Sequence, residues 1–160
     1  MYILIKNFII ERKDTDNREI YQSKSFEETV QIGESLGEKL NGGELILLNG
    51  RLGSGKTCFT KGLAKALSVE DIITSPSFTL MNVYRGSSLT LYHLDLYRIE
   101  SNDTLIDYEL EEYFTPDSVV VIEWGDRLEE MYDLKEIIEV QIEVLDEDQR
   151  QITINKLVSS

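Results

Sequence analysis

The sequence predicts an α/β fold, a three-layer sandwich with a central, mostly parallel sheet and a C-terminal hairpin. Two continuous apolar runs, Leu45–Leu48 and Val119–Ile122, have the length and composition of strands that are covered on both faces. A helical pattern over Lys56–Leu67 lies between them, and strands interleaved with helices are typical of α/β proteins. Near the C-terminus, alternating segments over Ile137–Leu145 and Gln151–Leu157 flank a polar turn, which predicts the hairpin.

The first helix is predicted from its N-terminal signal. Ser25 and Glu28 have the Ser-x-x-Glu spacing of a capping box, which satisfies free backbone N–H groups at a helix start. The apolar or small residues that then recur every three to four positions are Phe26, Val30, Gly33, Leu36 and Leu40. We expect these residues to form one packing face, along a helix that Asn41–Gly43 terminates.

The rest of the chain is assigned more coarsely. The remaining segments are an apolar stretch at 2–10, a charged segment at 11–19, extended segments at 78–84 and 89–94, and a helical region at 103–114. No internal repeat and no Pro, Gly and Ser-rich linker divides the sequence. We predict one domain over residues 1–160, in which residues 1–20 form an added strand or a mobile arm.

Charge is distributed unevenly along the chain. The 160 residues carry 16 Lys and Arg against 30 Asp and Glu, a net charge of −14. Residues 101–150 alone have 3 basic and 17 acidic side chains. Because phosphate contacts need clustered Lys and Arg, direct binding to free nucleic acid or to anionic membranes is disfavoured. The acidic stretch 103–148 is interpreted as a solvated face or as a surface for a basic partner.

The cellular location is inferred from cysteine content and from the lengths of apolar runs. The single cysteine, Cys58, cannot form an intrachain disulfide, which fits a reducing compartment. No apolar run approaches the ~20 residues of a membrane-spanning helix. The apolar start of the chain has no preceding basic residues and no small-residue cleavage site, unlike a secretory signal. We expect a cytoplasmic protein.

A phosphate-binding motif follows the first apolar run. Residues Gly50–Thr57 match G-x-x-x-x-G-K-[ST], the P-loop, between a predicted strand and a predicted helix. Its glycines let consecutive backbone N–H groups point at phosphate oxygens, and the helix presents its positive N-terminal end to them. Lys56 is expected to reach the β and γ phosphates, and the Thr57 hydroxyl to ligate Mg²⁺. The residues predicted to contact nucleotide at this loop are Gly50, Leu52, Gly53, Ser54, Gly55, Lys56, Thr57 and Cys58.

Two acids follow apolar strands and could serve the same site. Glu123 ends the run Val119–Ile122, and Asp95 ends Leu91–Leu94. P-loop sites use such an acid to hold Mg²⁺ directly or through water. We assign Glu123 to the metal and Asp95 to the attacking water or the γ-phosphate, and the exchange of these two roles remains open. Since the chain lacks the Asn/Thr-Lys-x-Asp element that reads guanine, ATP is favoured over GTP.

Several further segments, taken with the P-loop, resemble one family, the bacterial tRNA threonylcarbamoyladenosine biosynthesis ATPases called TsaE, formerly YjeE. The matching segments are Ser25–Thr29, Ser75–Leu80, Tyr92–Arg98 and Ile122–Trp124. The resemblance runs from about residue 21 to 155. It implies ATP binding and hydrolysis in support of threonylcarbamoyl transfer to the adenosine beside the anticodon. The implied partners are the threonylcarbamoyltransferase TsaD and its partner TsaB, through which the protein meets tRNA indirectly.

The resemblance also implies roles for residues outside the loop. Ser75 to Thr79 would form a switch-like loop that senses the nucleotide state. Glu27 matches a position near the nucleotide in the family, although the residues themselves favour a capping-box or surface acid. Trp124 either packs beside Glu123 or contacts nucleotide or partner.

The chain departs from the family pattern at three positions. Arg51 stands where the family usually has an acid, Ser77 where it has Thr, and Gly125 where Pro often follows the Glu-Trp pair. The change at Arg51 reverses the charge beside the phosphates and bears on partner contacts or hydrolysis rate.

Two other functions remain open from the residues alone. A small-molecule or nucleoside kinase would also need the P-loop, but the chain has no evident Arg-rich lid. A nucleotide-sensing module without hydrolysis would need Lys56 but neither acid. The only histidine, His93, is interpreted as a hydrogen-bonded position in the sheet.

Overall fold

The computed structural model describes residues 2–5, 8–11, 17–76, 78–97, 110–123 and 136–158. The helices of these ranges are α1 (Phe26–Gly37) and α2 (Lys56–Ala66), with a 3₁₀ helix at Leu110–Tyr113. The strands are β1 (Tyr2–Ile5), β2 (Phe8–Glu11), β3 (Arg18–Ser23), β4 (Glu44–Asn49), β5 (Met81–Arg85), β6 (Thr90–Asp95), β7 (Ser118–Glu123), β8 (Glu136–Val144) and β9 (Arg150–Val158). The α/β class is therefore confirmed.

A seven-stranded sheet forms the centre of the fold, in the order β3-β9-β8-β4-β7-β6-β5. The four central strands β8, β4, β7 and β6 are mutually parallel. The edges are antiparallel, because β9 follows β8 through the predicted hairpin, β3 pairs with β9, and β5 joins β6 through a short turn. The predicted parallel centre and C-terminal hairpin are confirmed, and the antiparallel strands at the two sides make the whole sheet mixed.

The central strands are covered on both faces. Every residue of β7 is buried, and the side chains of β4 and β7 alternate between two hydrophobic clusters. One cluster packs against α1 and α2 and contains Ile46, Leu48 and Val121. The other lies on the opposite face, where Leu45 and Val120 pack with Leu110. Continuous apolar runs are what this two-sided burial requires.

The two helices approach each other closely through glycines. A Cβ at Gly62 of α2 would overlap the backbone oxygen of Val30 and lie 2.6 Å from the backbone nitrogen of Glu34. A Cβ at Gly33 of α1 would similarly collide with the backbone of Phe59. The predicted packing face of α1 is confirmed at Gly33 but wrong at its first residue, because Phe26 is 64 % exposed.

Several predicted boundaries differ from the structure. Helix α1 ends at Gly37, and the chain reaches Leu40 through a turn. Residues 78–80 form a turn, so the extended segment begins only at Met81. Within the predicted helix at 103–114, residues 103–109 lie outside the described residues, and the described part is 3₁₀ helix and irregular chain.

The N-terminal region contains more strand than predicted. Strands β1 and β2 pair antiparallel as a two-stranded sheet apart from the main one. β3 adds an edge strand to the main sheet from residues that had no predicted structure or were assigned to a charged segment. Its side chains are mostly exposed, so it lacks the apolar alternation by which strands are recognised. Neither α1 nor α2 is long and apolar enough to cross a membrane.

We expect the Gly62→Ala variant to be less stable than the unmodified protein by about 1–3 kcal/mol in urea unfolding, because the added methyl group has no space against α1. Helix propensity alone would act in the other direction, by roughly 1 kcal/mol in favour of Ala. The exposed Lys61→Ala change in the same helix is the control and should alter stability little. A Gly62→Ala variant as stable as the control would contradict the close helix contact.

Candidate functional site

A loop of left-handed glycines connects β4 to α2. Gly53 and Gly55 have φ angles of 77° and 108°, which residues with a Cβ rarely adopt. Gly55 is the N-cap of α2, and no side chain caps that helix end. The first turn of α2 therefore leaves backbone N–H groups available to an anion, at the positive end of the helix dipole.

The beginning of the loop is packed too tightly for a side chain. A Cβ at Gly50 would collide with the Ser54 hydroxyl and lie 2.9 Å from the backbone oxygen of Ile142. Ser54 is itself fully buried, and its backbone oxygen accepts a hydrogen bond from Arg150 Nε at 3.1 Å. Leu52 lies at the exposed tip of the loop, with 74 % of its surface accessible. Arg150 at the start of β9 thus holds the loop to the sheet, and Gly50 packs closely against Ile142 of β8.

Lys56 is a buried cation inside this loop. Its Nζ donates hydrogen bonds to the backbone oxygens of Gly50 at 2.7 Å and Arg51 at 3.1 Å. Burial lowers the pKa of Lys56 below its ordinary value of 10.5, and the negative charges of Glu123 and Asp95 act in the opposite direction. The lysine is therefore within electrostatic reach of both acids that the sequence analysis selected.

The parallel pairing of the strands places those acids side by side. Glu123 pairs with Leu48 of β4 and with Asp95 of β6, so both carboxylates lie where β6 and β7 end and the loop begins. Both side chains are buried, with exposed fractions of 5 % for Asp95 and 3 % for Glu123. Asp95 Oδ1 accepts a hydrogen bond from the Tyr97 backbone N–H at 2.9 Å, which fixes its orientation.

Glu123 has a buried side-chain partner that the sequence analysis did not identify. His93 Nε2 lies 2.9 Å from Glu123 Oε1, and His93 is fully buried. The interpretation of His93 as a hydrogen-bonded sheet position is confirmed. No local pattern could have revealed the partner, because 30 residues separate the two side chains.

The loop that precedes β5 is attached to the same strand end. The Asp95 backbone N–H donates to the Leu80 oxygen at 3.0 Å, and the Leu80 N–H donates to the Pro76 oxygen at 2.8 Å. The Thr79 hydroxyl donates to Asn82 Oδ1 at 2.9 Å. Ser75 and Thr79, the predicted switch residues, are exposed on this loop. A displacement of the loop would therefore act on the backbone of Asp95.

A groove opens between the start of α1 and the turn between β8 and β9. Its volume is about 230 Å³, and its lining residues are Lys24, Ser25, Phe26, Glu27, Glu147, Asp148 and Arg150. Arg150 Nη1 donates to the Glu147 oxygen at 2.9 Å, while its Nε donates into the P-loop at Ser54. Arg150 therefore joins the groove to the phosphate-binding loop. Its sequence position beside the predicted hairpin turn gave no signal for this role.

Glu27 lies at this groove and does not form the helix cap. The cap is made by Ser25, whose hydroxyl accepts from the Glu28 N–H at 3.2 Å, and by Glu28, whose carboxylate accepts from the Lys24 N–H at 2.6 Å. Ser25 is thus confirmed as the N-cap, while Glu28 accepts from the N–H of the residue before the cap. Glu27 is exposed beside Phe26.

The oxygen atoms of Thr57 and Glu123 are ligands of the kind that magnesium prefers. Thr57 and Cys58 occupy the first turn of α2 and are half-buried. Among the described residues, no group of three or more His, Cys, Asp and Glu side chains could hold a metal ion by itself. Mg²⁺ characteristically takes one or two protein oxygens together with phosphates and waters, which the Thr57 hydroxyl and the Glu123 carboxylate fit. Trp124 and Ser77 lie outside the described residues.

Comparison with known proteins gives consistent matches over most of the chain. The family described as threonylcarbamoyl adenosine biosynthesis protein TsaE matches residues 23–152. TsaE of Treponema pallidum is 41 % identical over 133 residues, which are 82 % of this chain and 96 % of that protein. TsaE of Nostoc is 42 % identical over 132 residues, which are 80 % of each chain. The crystal structure of YdiB from Bacillus subtilis superposes with a TM-score of 0.73 at 32 % identity, over 89 % of this chain and 86 % of that one.

Proposed function

Because the chain belongs to the TsaE family of threonylcarbamoyl adenosine biosynthesis proteins, we propose that it binds ATP with Mg²⁺ and hydrolyses it in support of that tRNA modification. The modified base is the adenosine beside the anticodon. The observation that carries the proposal is the convergence of Lys56, Glu123 and Asp95 at a glycine loop whose helix end has no side-chain cap. This is the set of charges that a bound triphosphate and its cation need.

Lys56 is the residue assigned to the phosphates. Two of the hydrogen bonds that its ammonium donates go to loop carbonyls, which are neutral acceptors. A phosphate oxygen carries a full negative charge and makes a stronger, charge-assisted hydrogen bond. Since burial disfavours the charged lysine, an anion in the loop would also stabilise its protonated form. The backbone N–H groups of Gly53 and of residues 55–58 would hold the remaining phosphate oxygens, while the Ser54 N–H donates to the Arg51 oxygen at 3.1 Å.

The two acids are assigned complementary tasks. Glu123 and the Thr57 hydroxyl would hold Mg²⁺, which supplies neutralisation of the charge on the phosphates. Asp95, fixed by the Tyr97 N–H, would orient the attacking water or contact the γ-phosphate. The neighbouring positions of Asp95 and Glu123 on β6 and β7 leave the exchange of their tasks open.

The groove beside the loop is assigned to the nucleoside end of ATP. It is joined to the P-loop through Arg150, and Phe26 offers an aromatic ring that is 64 % exposed. An exposed phenylalanine is a suitable surface for stacking a base. Glu27 also lines this groove, and its carboxylate would accept a hydrogen bond from a ribose hydroxyl.

Partner proteins are proposed to complete the activity. We place TsaD and TsaB in this role, with tRNA bound through the complex, because a chain of net charge −14 is ill suited to hold tRNA alone. Beside the site, Phe78 is 85 % exposed on the loop attached to Asp95, where a partner could contact it. Hydrolysis should be slow until a partner adjusts this loop. The cytoplasm, where tRNA is modified, is the proposed location.

The pathway is tested by depleting this protein from its cells and restoring it as variants. We expect depletion to lower threonylcarbamoyladenosine in bulk tRNA, measured by nucleoside mass spectrometry, and the unmodified protein to restore it. Lys56→Ala, Glu123→Gln and Asp95→Asn should each fail to restore the modified nucleoside. Lys61→Ala, an exposed lysine of the same helix, is the control and should restore it fully.

Two outcomes would overturn parts of the proposal. Unchanged threonylcarbamoyladenosine after depletion would remove the pathway and favour a small-molecule kinase. Full restoration by both acid variants, with failure of Lys56→Ala alone, would remove hydrolysis and favour a nucleotide-sensing module.

The groove assignment is tested by calorimetry on the isolated chain. Phe26→Ala should weaken ATP binding roughly tenfold, the loss expected for about 1.4 kcal/mol of aromatic stacking. Binding of tripolyphosphate, which has no base, should be unchanged. Phe78→Ala is a matched control, since Phe78 is also exposed but lies outside the groove. An equal loss for ATP and tripolyphosphate would show that Phe26 acts on the loop and not on the base.

A further inference from the structure

The only histidine of the chain is buried behind the proposed magnesium ligand. We propose that His93 is a positioning residue that holds the Glu123 carboxylate in the orientation needed for Mg²⁺, an inference that rests on the proposed function of Glu123. His93 Nε2 and Glu123 Oε1 are 2.9 Å apart, and their exposed fractions are 0 % and 3 %.

Strand pairing fixes the relative placement of the two side chains. In the parallel register of β6 and β7, His93 pairs with Val121 and Asp95 with Glu123. Alternation along a strand puts all four side chains on one face of the sheet. That face is the one covered by α1 and α2, because Val121 belongs to the cluster packed against those helices. His93 thus lies one step deeper than Glu123, on the side of the sheet where Lys56 begins α2.

The hydrogen-bonding pattern assigns the proton of the imidazole. Among the described residues, Nδ1 of His93 is buried without a hydrogen-bond partner. A buried N–H without an acceptor is costly, whereas a bare ring nitrogen loses less, so a neutral ring carries its proton on Nε2. Nε2–H then donates to Glu123 Oε1, as a charge-assisted bond to a carboxylate.

This hydrogen bond restricts the orientation of the Glu123 carboxylate, as binding of a cation requires. It is the one hydrogen bond that the structure describes for the Glu123 carboxylate, and it occupies a single oxygen. The other oxygen, Oε2, remains for a metal or for a metal-bound water. Groups that orient metal ligands in this way commonly contribute 10- to 100-fold to metal affinity. Without the donor, the carboxylate would be free to rotate and would lose its value as an oriented ligand.

The test separates binding of the nucleotide from binding of its cation. ATP affinity is measured by calorimetry in Mg²⁺ and in EDTA, and the ratio of the two values gives the magnesium enhancement. His93→Leu should reduce this enhancement about tenfold or more while it leaves ATP affinity in EDTA unchanged. His93→Gln, which keeps an N–H donor near the position of Nε2, should retain most of the enhancement.

A merely structural role would give a different pattern. Ser118→Ala is the control, because Ser118 is a buried hydrogen-bonding residue at the opposite end of β7 from Glu123. It should lower thermal stability without changing the magnesium enhancement. If His93→Leu behaves like Ser118→Ala, the positioning role is wrong. If the unmodified chain shows no magnesium enhancement, the proposed role of Glu123 fails first and removes this inference with it.

A measurement on the unmodified chain covers the case in which His93→Leu does not fold. Since His93 is the only histidine, ¹⁵N NMR of the imidazole gives one unambiguous pair of ring-nitrogen signals. We expect a protonated Nε2 and an unprotonated Nδ1. A ring protonated on Nδ1 alone could not donate to Glu123 and would contradict the inference.

Discussion

Parallel pairing of β4, β7 and β6 is the constraint on which the rest of this site depends. It brings the carboxyl ends of three strands to one edge of the sheet, in a register that aligns Leu48, Glu123 and Asp95. Carboxyl ends of parallel strands are where α/β proteins bind ligands, because the loops and helix ends meet there. The two-sided burial of these strands makes the register hard to alter, since a slip by one residue would invert every side chain. The fold therefore positions the acids before any ligand contributes.

The charged side chains at the carboxyl ends of these strands are buried close together, so each affects the charged form of the others. Burial disfavours the protonated form of Lys56, whereas the negative charges of Glu123 and Asp95 favour it. Glu123 is supported by His93 and Asp95 by the Tyr97 N–H. Replacing buried ion pairs by apolar side chains of similar size is often neutral or stabilising. This grouping of charges therefore supports the proposed binding of a multiply charged ligand.

The sequence predicted those parts of the molecule that depend on local patterns. The loop at Gly50–Thr57 and the acid after each apolar strand follow from spacing, and β4 and β7 were visible as apolar runs. Contacts between distant segments had no such signal. Phe26 matches the helical period of α1 but is its first residue, and its side chain is exposed. Phe26 and Arg150 both line the groove. β3 was missed because an exposed edge strand needs backbone pairing and little apolar surface.

The central claim is that one bound nucleotide engages the loop, Lys56 and the strand-end acids at once. The most direct measurement is a crystal structure of the chain with Mg²⁺ and a non-hydrolysable ATP analogue. The account predicts phosphates within hydrogen-bond distance of Lys56 Nζ and the loop N–H groups, and a cation in contact with Thr57 and with Glu123 or Asp95. A nucleotide bound away from Gly50–Thr57, or a cation that neither acid approaches, would contradict it.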